Sequence, residues 1–255
     1  MHYNIENKTL ICIGDVHGEF STLRYKLSQY IKKYNLTDTI FIVCGDCGFF
    51  GKHTDNKWFY HERSKINKIL VNSSNELYFF RGNHDNPEFF DSNTKYIVGN
   101  TTTIKVLKDY DILNSNLYGR ILVVPGATSV DRYYRTKDVS WWENEGIKKL
   151  SNNELNKLGK IDLVLSHSLP YFPKLSKFQL DALEENEVHY KGANFFNQTL
   201  SVTLYEEQLY LQNLQLNIKA SSWISGHYHV SSVSLHENSK YVCIDIMEFY
   251  EPSYN

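Results

Sequence analysis

Short apolar runs rich in β-branched residues alternate along the chain with longer stretches in which apolar residues recur every three or four positions. Leu10–Ile13, Ile40–Cys44, Leu77–Phe80, Ile121–Val124 and Ile161–Leu165 are continuous runs, each followed by Gly, Pro or a polar turn. Such runs predict strands covered on both faces. Phe20, Leu23, Leu27, Tyr30 and Ile31 predict a helix over Glu19–Lys33, and Trp58, Phe59, Ile66, Ile69 and Leu70 another over Lys57–Val71. A third helix is predicted over Val202–Leu216, while Trp223–Ile246 alternates like strands joined by turns. Strand–helix–strand order argues for an α/β fold with much of its sheet buried. No repeat, Pro/Ser-rich linker or low-complexity tail divides residues 1–255, so they read as one domain. Residues 169–198 form the least patterned long stretch and are a candidate lid or substrate-binding insertion.

Composition narrows the classes. Of 255 residues, 42% are hydrophobic and 22% charged, which excludes a disordered chain. Lys+Arg 27 against Asp+Glu 29 leaves a formal net charge of −2, too few cations for an extended nucleic-acid surface. No apolar run approaches the roughly 18 residues of a membrane span. The polar start, Met1–Lys8, lacks the apolar core of a secretion signal. Four cysteines are too few for a disulfide scaffold. A cytoplasmic protein is expected.

The candidate chemistry lies just after the predicted strands. Gly14-Asp15-Val16-His17-Gly18, Gly45-Asp46-Cys47-Gly48, Gly82-Asn83-His84-Asp85, Ser166-His167 and Gly226-His227-Tyr228-His229 each follow an apolar run. Ligands commonly bind where strand ends of such sheets converge. In an extended segment, the i and i+2 spacing of Asp15 with His17, and of His227 with His229, would point each pair one way. The set mixes hard oxygen and borderline nitrogen donors, suited to divalent Mn, Fe or Zn. Cys44 and Cys47 also form a Cys-x-x-Cys spacing, but with no second pair they read as small residues at the sheet edge.

These five blocks, in this order, resemble the calcineurin-like metallophosphoesterases, in particular the bacterial and phage type. The resemblance spans Asp15–His229. It implies an α/β fold of four layers, α-β-β-α, built on two mixed sheets. It also implies two divalent ions, Mn2+ first, with Fe, Zn or Ni as alternatives. By motif, Asp15, His17 and His229 would ligate one ion, Asn83, His167 and His227 the other, and Asp46 both. His84 would be the catalytic histidine. The implied reaction is hydrolysis of a phosphate ester by a metal-bound hydroxide.

The chain departs from the protein Ser/Thr phosphatase branch, whose second motif reads Gly-Asp-x-Val-Asp-Arg-Gly. Phe49 and Phe50 stand where that Asp and Arg would be, and a phenyl ring can neither orient an imidazole nor bind an anion. The run Gly126–Arg135 holds two of the six arginines, Arg132 and Arg135, beside Tyr133 and Tyr134. Arg132, Arg135 and Tyr133 are therefore candidate substrate contacts, the arginines for phosphate and the tyrosine for a ring. Trp141 and Trp142, with Glu143 and Glu145 close by, belong to the core or to the site's rim. The expected substrate is a small phosphorylated molecule, a nucleotide or a nucleic-acid end, and the expected activity a phosphodiesterase. A phosphoprotein phosphatase, or an inactive binding module of the same fold, are the alternatives.

Overall fold

The computed structural model describes residues 2–171 and 198–254. The described chain runs β1 (His2–Glu6), β2 (Thr9–Ile13), α1 (Phe20–Tyr34), β3 (Thr39–Cys44), α2 (Lys57–Asn72), β4 (Glu76–Phe80), α3 (Pro87–Asp91), α4 (Lys95–Val98), β5 (Ile104–Val106), β6 (Ile112–Ser115) and β7 (Gly119–Val124). It continues through α5 (Asn152–Leu158), β8 (Leu163–Ser166), α6 (Gln198–Ile218), β9 (Ser222–Ser225), β10 (Ser232–His236), β11 (Ser239–Cys243) and β12 (Phe249–Tyr250).

Five strands pair in the order β12-β2-β3-β4-β5, parallel from β2 to β5 with β12 antiparallel at the edge. Seven pair in the order β1-β6-β7-β8-β9-β11-β10, antiparallel only at β6/β7 and β10/β11. Both sheets are thus mixed. Alternation along the strands sends side chains to two different cores. Ile11, Ile13, Phe41, Val43, Leu77 and Phe79 meet Phe20, Leu23 and Leu27 of α1 and Phe59, Ile66 and Leu70 of α2. The intervening Leu10, Cys12, Ile40, Ile42, Tyr78 and Phe80 meet Leu113, Ile121, Val123, Leu163, Leu165 and Ile224 of the other sheet. That sheet's outer face, with Leu122, Val124, Val164 and Trp223, is closed by α5 and α6 through Leu155, Leu158, Leu211 and Leu214. The architecture is a four-layer α-β-β-α sandwich.

α1 shows why the helices sit as they do. Its buried residues, Phe20, Leu23, Leu27 and Ile31, fall on one stripe, and left-handed Asn35 (φ 49°) ends it by donating its N–H to the Ile31 carbonyl. The predicted strand over Ile161–Leu165 begins later, at Leu163, and runs to Ser166. The predicted third helix is longer at both ends. No described helix is long and apolar enough to cross a membrane.

Register places the chemistry. Ile13 pairs with Val43 and Cys44 with Phe80, so β2, β3 and β4 end level. Val124 pairs with Ser166 and Ser166 with Ser225, so β7, β8 and β9 end level too. The polar motifs that follow these strands therefore emerge along one edge of the sandwich.

Candidate active site

The loops at this edge turn sharply. His17, Asp46, His227 and His229 all have left-handed backbones, with φ of 45°, 45°, 73° and 51°. Non-glycine residues rarely adopt this conformation, and strain of this kind collects at functional sites. The i, i+2 argument from extended backbone therefore does not hold at either pair. Two glycines are required by close approach: a Cβ on Gly82 would run into Asp46, and one on Gly226 into Asp15.

Two groups of donors converge. In the first, His229 Nε2 lies 3.0 Å from Asp15 Oδ2 and 3.0 Å from His17 Nε2, which is 3.6 Å from the same carboxylate oxygen. In the second, His167 Nε2 lies 3.2 Å from Asp46 Oδ1 and 2.9 Å from Asn83 Oδ1, and its ring centroid lies 4.8 Å from that of His227, the planes tilted by 60°. His227 and His229 thus diverge, one to each group. Asp46 belongs to the second group and also to a cluster with His17 and His84, and so joins the two. Its Oδ1 accepts the His84 backbone N–H at 2.8 Å, and its Oδ2 lies 3.8 Å from His84 Nε2.

The electrostatics match the geometry. Asp15 and Asp46 are fully buried, which opposes ionisation, yet the facing imidazoles, His167 foremost, hold both carboxyls below their usual range. Burial alone would lower His167, but Asp46 and Asp15 outweigh it and push the ring up to about 9. Burial, with the charge of His167, presses His227 down to about 3. Two buried carboxylates that together hold a positive charge on His167 make a demand that divalent cations satisfy. Hard oxygens and borderline nitrogens in this proportion fit such ions. The Cys44 carbonyl accepts from His167 Nδ1 at 2.8 Å, so a cation that displaced the Nε2 proton would meet the tautomer with its lone pair on Nε2.

Beside this cluster, Arg135 hydrogen-bonds His84 Nε2 through its guanidinium, which donates to Asp131 Oδ2 at 2.6 and 2.8 Å. Burial lowers the His84 ring more than Asp46 raises it, and the charge of Arg135 acts with burial. Arg132, three residues earlier, lines a separate cleft of about 160 Å³ with Glu143, Glu206 and Glu207. Of the two candidate arginines, the structure brings only Arg135 to His84. The Tyr133 side chain, His189 and most of the 169–198 stretch lie outside the described residues. Phe49 is buried among Phe20, Phe59 and Phe79, while Phe50 is 40% exposed. Trp142 is buried and lines a cleft of about 430 Å³ with Gly51, Asn86 and Asp138. Burial lifts the Cys44 and Cys47 thiols well above their usual range.

Several contributors were not visible in the sequence reading. Asp85 accepts four backbone N–H groups, from Cys47, Gly48, Phe49 and Gly82, at 2.8–3.0 Å. Its place in the Gly-Asn-His-Asp block was the only signal. Asn83 Nδ2 donates to Ser129 Oγ at 2.9 Å, and Ser129 in turn donates to Glu145. Glu145, 3% exposed, is pushed by burial up to about 7. Nothing local in the sequence links these three residues.

A two-sheet sandwich carrying paired carboxylate–imidazole clusters at the level ends of its strands is a scaffold with donor groups for two metal ions side by side. The family model for calcineurin-like phosphoesterases matches residues 8–231, and the chain belongs to this family of phosphoester hydrolases. Solved structures share the fold. Phosphopantetheinyl hydrolase (PptH) from Mycobacterium tuberculosis superposes with a TM-score of 0.50 at 14% identity, covering 94% of this chain and 90% of that one. The protein TT1561 of Thermus thermophilus gives a TM-score of 0.50 at 11% identity, with the same coverage. Another solved structure gives 0.55 at 11% identity, covering 97% of this chain and 99% of its own. No curated protein sequence matches the chain.

Proposed function

We propose that the chain hydrolyses phosphodiesters of small nucleotides or nucleic-acid ends. Two divalent ions, Mn2+ foremost, would be held by Asp15, His17 and His229 on one side and by Asn83, His167 and His227 on the other, with Asp46 between. The observation that carries this reading is the pair of donor groups joined by Asp46 and flanked by His84 and Arg135. When bound, the ions supply Lewis-acid polarisation of a phosphoryl oxygen and acidify a water.

The chain's own residues do the rest. The backbone bond to Asp46 fixes His84 beside the cluster. An anionic substrate oxygen entering between His84 and Arg135 takes the guanidinium's hydrogen bond and offsets its charge. That favours the protonated ring, which donates to the leaving oxygen.

Charge favours a diester. Asp131 pairs with Arg135 at 2.6 Å, so among the described residues this corner offers no unpaired guanidinium for the second negative charge of a monoester. A diester carries one charge and two organic groups, and exposed Phe50 and Tyr134 offer apolar faces to such groups. Phe49 does not, because it is buried in the interior.

The test is a Mn2+-supplemented hydrolysis panel of matched nucleotide diesters, monoesters and phosphopeptides. Higher kcat/KM is expected on a diester. Arg135→Ala should lower it about ten- to a hundredfold, and Arg132→Ala by less than about threefold. Preference for phosphoserine or phosphothreonine peptides, with Arg135→Ala unaffected, would instead mark a protein phosphatase.

A further inference from the structure

Asn83 is the one amide in the proposed ligand set, and the two ends of an amide have opposite polarity. Its oxygen ligates a cation, whereas its NH2 group repels one. Some feature of the protein must therefore decide which end faces His167 and Asp46.

Ser129 and Glu145 stand behind Asn83. Ser129 is fully buried and Glu145 nearly so. The two carboxylate oxygens of Glu145 are both engaged by one residue. Oε1 accepts the Ser129 backbone N–H at 2.7 Å, and Oε2 accepts its hydroxyl at 2.7 Å. Above its midpoint of about 7 Glu145 is a carboxylate and only accepts, so the single Ser129 proton is then committed to it. The hydroxyl then presents only a lone pair toward Asn83, which lies 2.9 Å away through Nδ2. An amide turned the other way would set two acceptors against each other. The frame is anchored at both ends to the β4 terminus: Arg81 donates to the Glu145 and Gly146 carbonyls at 2.6 and 3.1 Å, and its own carbonyl accepts the Gly126 N–H at 3.0 Å.

We infer that Ser129 and Glu145 are positioning residues that set the polarity of the Asn83 amide, so that Oδ1 faces the cation site with Asp46, His167 and His227. The inference rests on the two-ion reading above and concerns one ion of the two. Glu145→Gln discriminates it sharply. The glutamine oxygen must meet the Ser129 N–H, so its NH2 group faces the Ser129 hydroxyl. That releases the hydroxyl proton toward Asn83, which favours the reversed amide, with almost no change in shape.

The experiment is Mn2+ titration of the metal-free protein by calorimetry and electron paramagnetic resonance, read as the number and affinity of bound ions. Wild type should bind two. Ser129→Ala and Glu145→Gln should each weaken one ion about 10- to 100-fold, the usual scale for residues behind a ligand, and leave the other unchanged. Ser129→Thr, which keeps the hydroxyl, should restore binding to within about threefold of wild type. Retention of both ions at wild-type affinity in both variants would overturn the inference. So would weakening of both ions together with a lowered unfolding midpoint of the metal-free protein, which would mark a merely structural role. A wild-type protein that binds fewer than two ions would instead refute the two-ion reading itself.

Discussion

What a histidine does in a crowded site depends on what each ring nitrogen faces. His167 spends Nδ1 on the Cys44 carbonyl and turns Nε2 to Asp46 and Asn83, as a ligand should. His84 differs: its nearest Nε2 neighbour is a guanidinium, which no cation ligand would choose. This difference makes a prediction. His84→Ala should keep most of its bound metal while turnover falls by roughly 10²–10⁴, the scale of a lost acid–base group. His229→Ala should instead lose metal, since its Nε2 faces Asp15 and His17. Elemental analysis beside turnover checks both, and equal metal loss in the two variants would make His84 a ligand.

Among the elements, the loop after β3 carries Asp46 and is held from below by Asp85. Four backbone donors converge on that one buried carboxylate, two on each oxygen. In Asp85→Asn, an NH2 group replaces one acceptor and leaves two buried N–H groups facing a donor. The expected loss is on the order of 3 kcal/mol in urea unfolding of the metal-free protein. A change below roughly 0.5 kcal/mol would mean the loop has other support. The central strands and long helices around this loop were legible in the sequence. β2, β3 and β4 read as apolar runs because both faces are covered, and α1 and α2 read as stripes because one face is. Two edge strands, β1 and β12, were not legible. β1 buries only Ile5, and β12 exists through pairing with β2, a partner more than two hundred residues away. Local periodicity carries no trace of such a partner.

For the whole molecule, the site is also a seam between the sheets. Asp15, Asp46 and Asn83 follow strands of the five-stranded sheet, while His167, His227 and His229 follow strands of the seven-stranded one. Ions bound across this edge would link the two layers and stabilise the folded chain. Mn2+ at a hundred times its dissociation constant should raise unfolding stability by about 2.7 kcal/mol per site. EDTA should reverse that gain and abolish hydrolysis. Asp46→Asn should weaken both effects more than loss of a terminal ligand, since Asp46 alone joins the groups. An unfolding midpoint indifferent to Mn2+ would argue against ions across the seam.

The sequence by itself determined the residue types, their placement after strands, and hence the family. It could do so because each motif is short and each strand announces itself by burial. Only the tertiary structure decided how those residues are shared out. His227 and His229 part company because left-handed backbone turns them to opposite groups. Arg135, and not Arg132, reaches His84, and Phe49 turns into the core. Ser129 meets Asn83 across 46 residues of chain. These outcomes depend on sheet register and on which loops pack side by side, and neither is written in the spacing of any single segment.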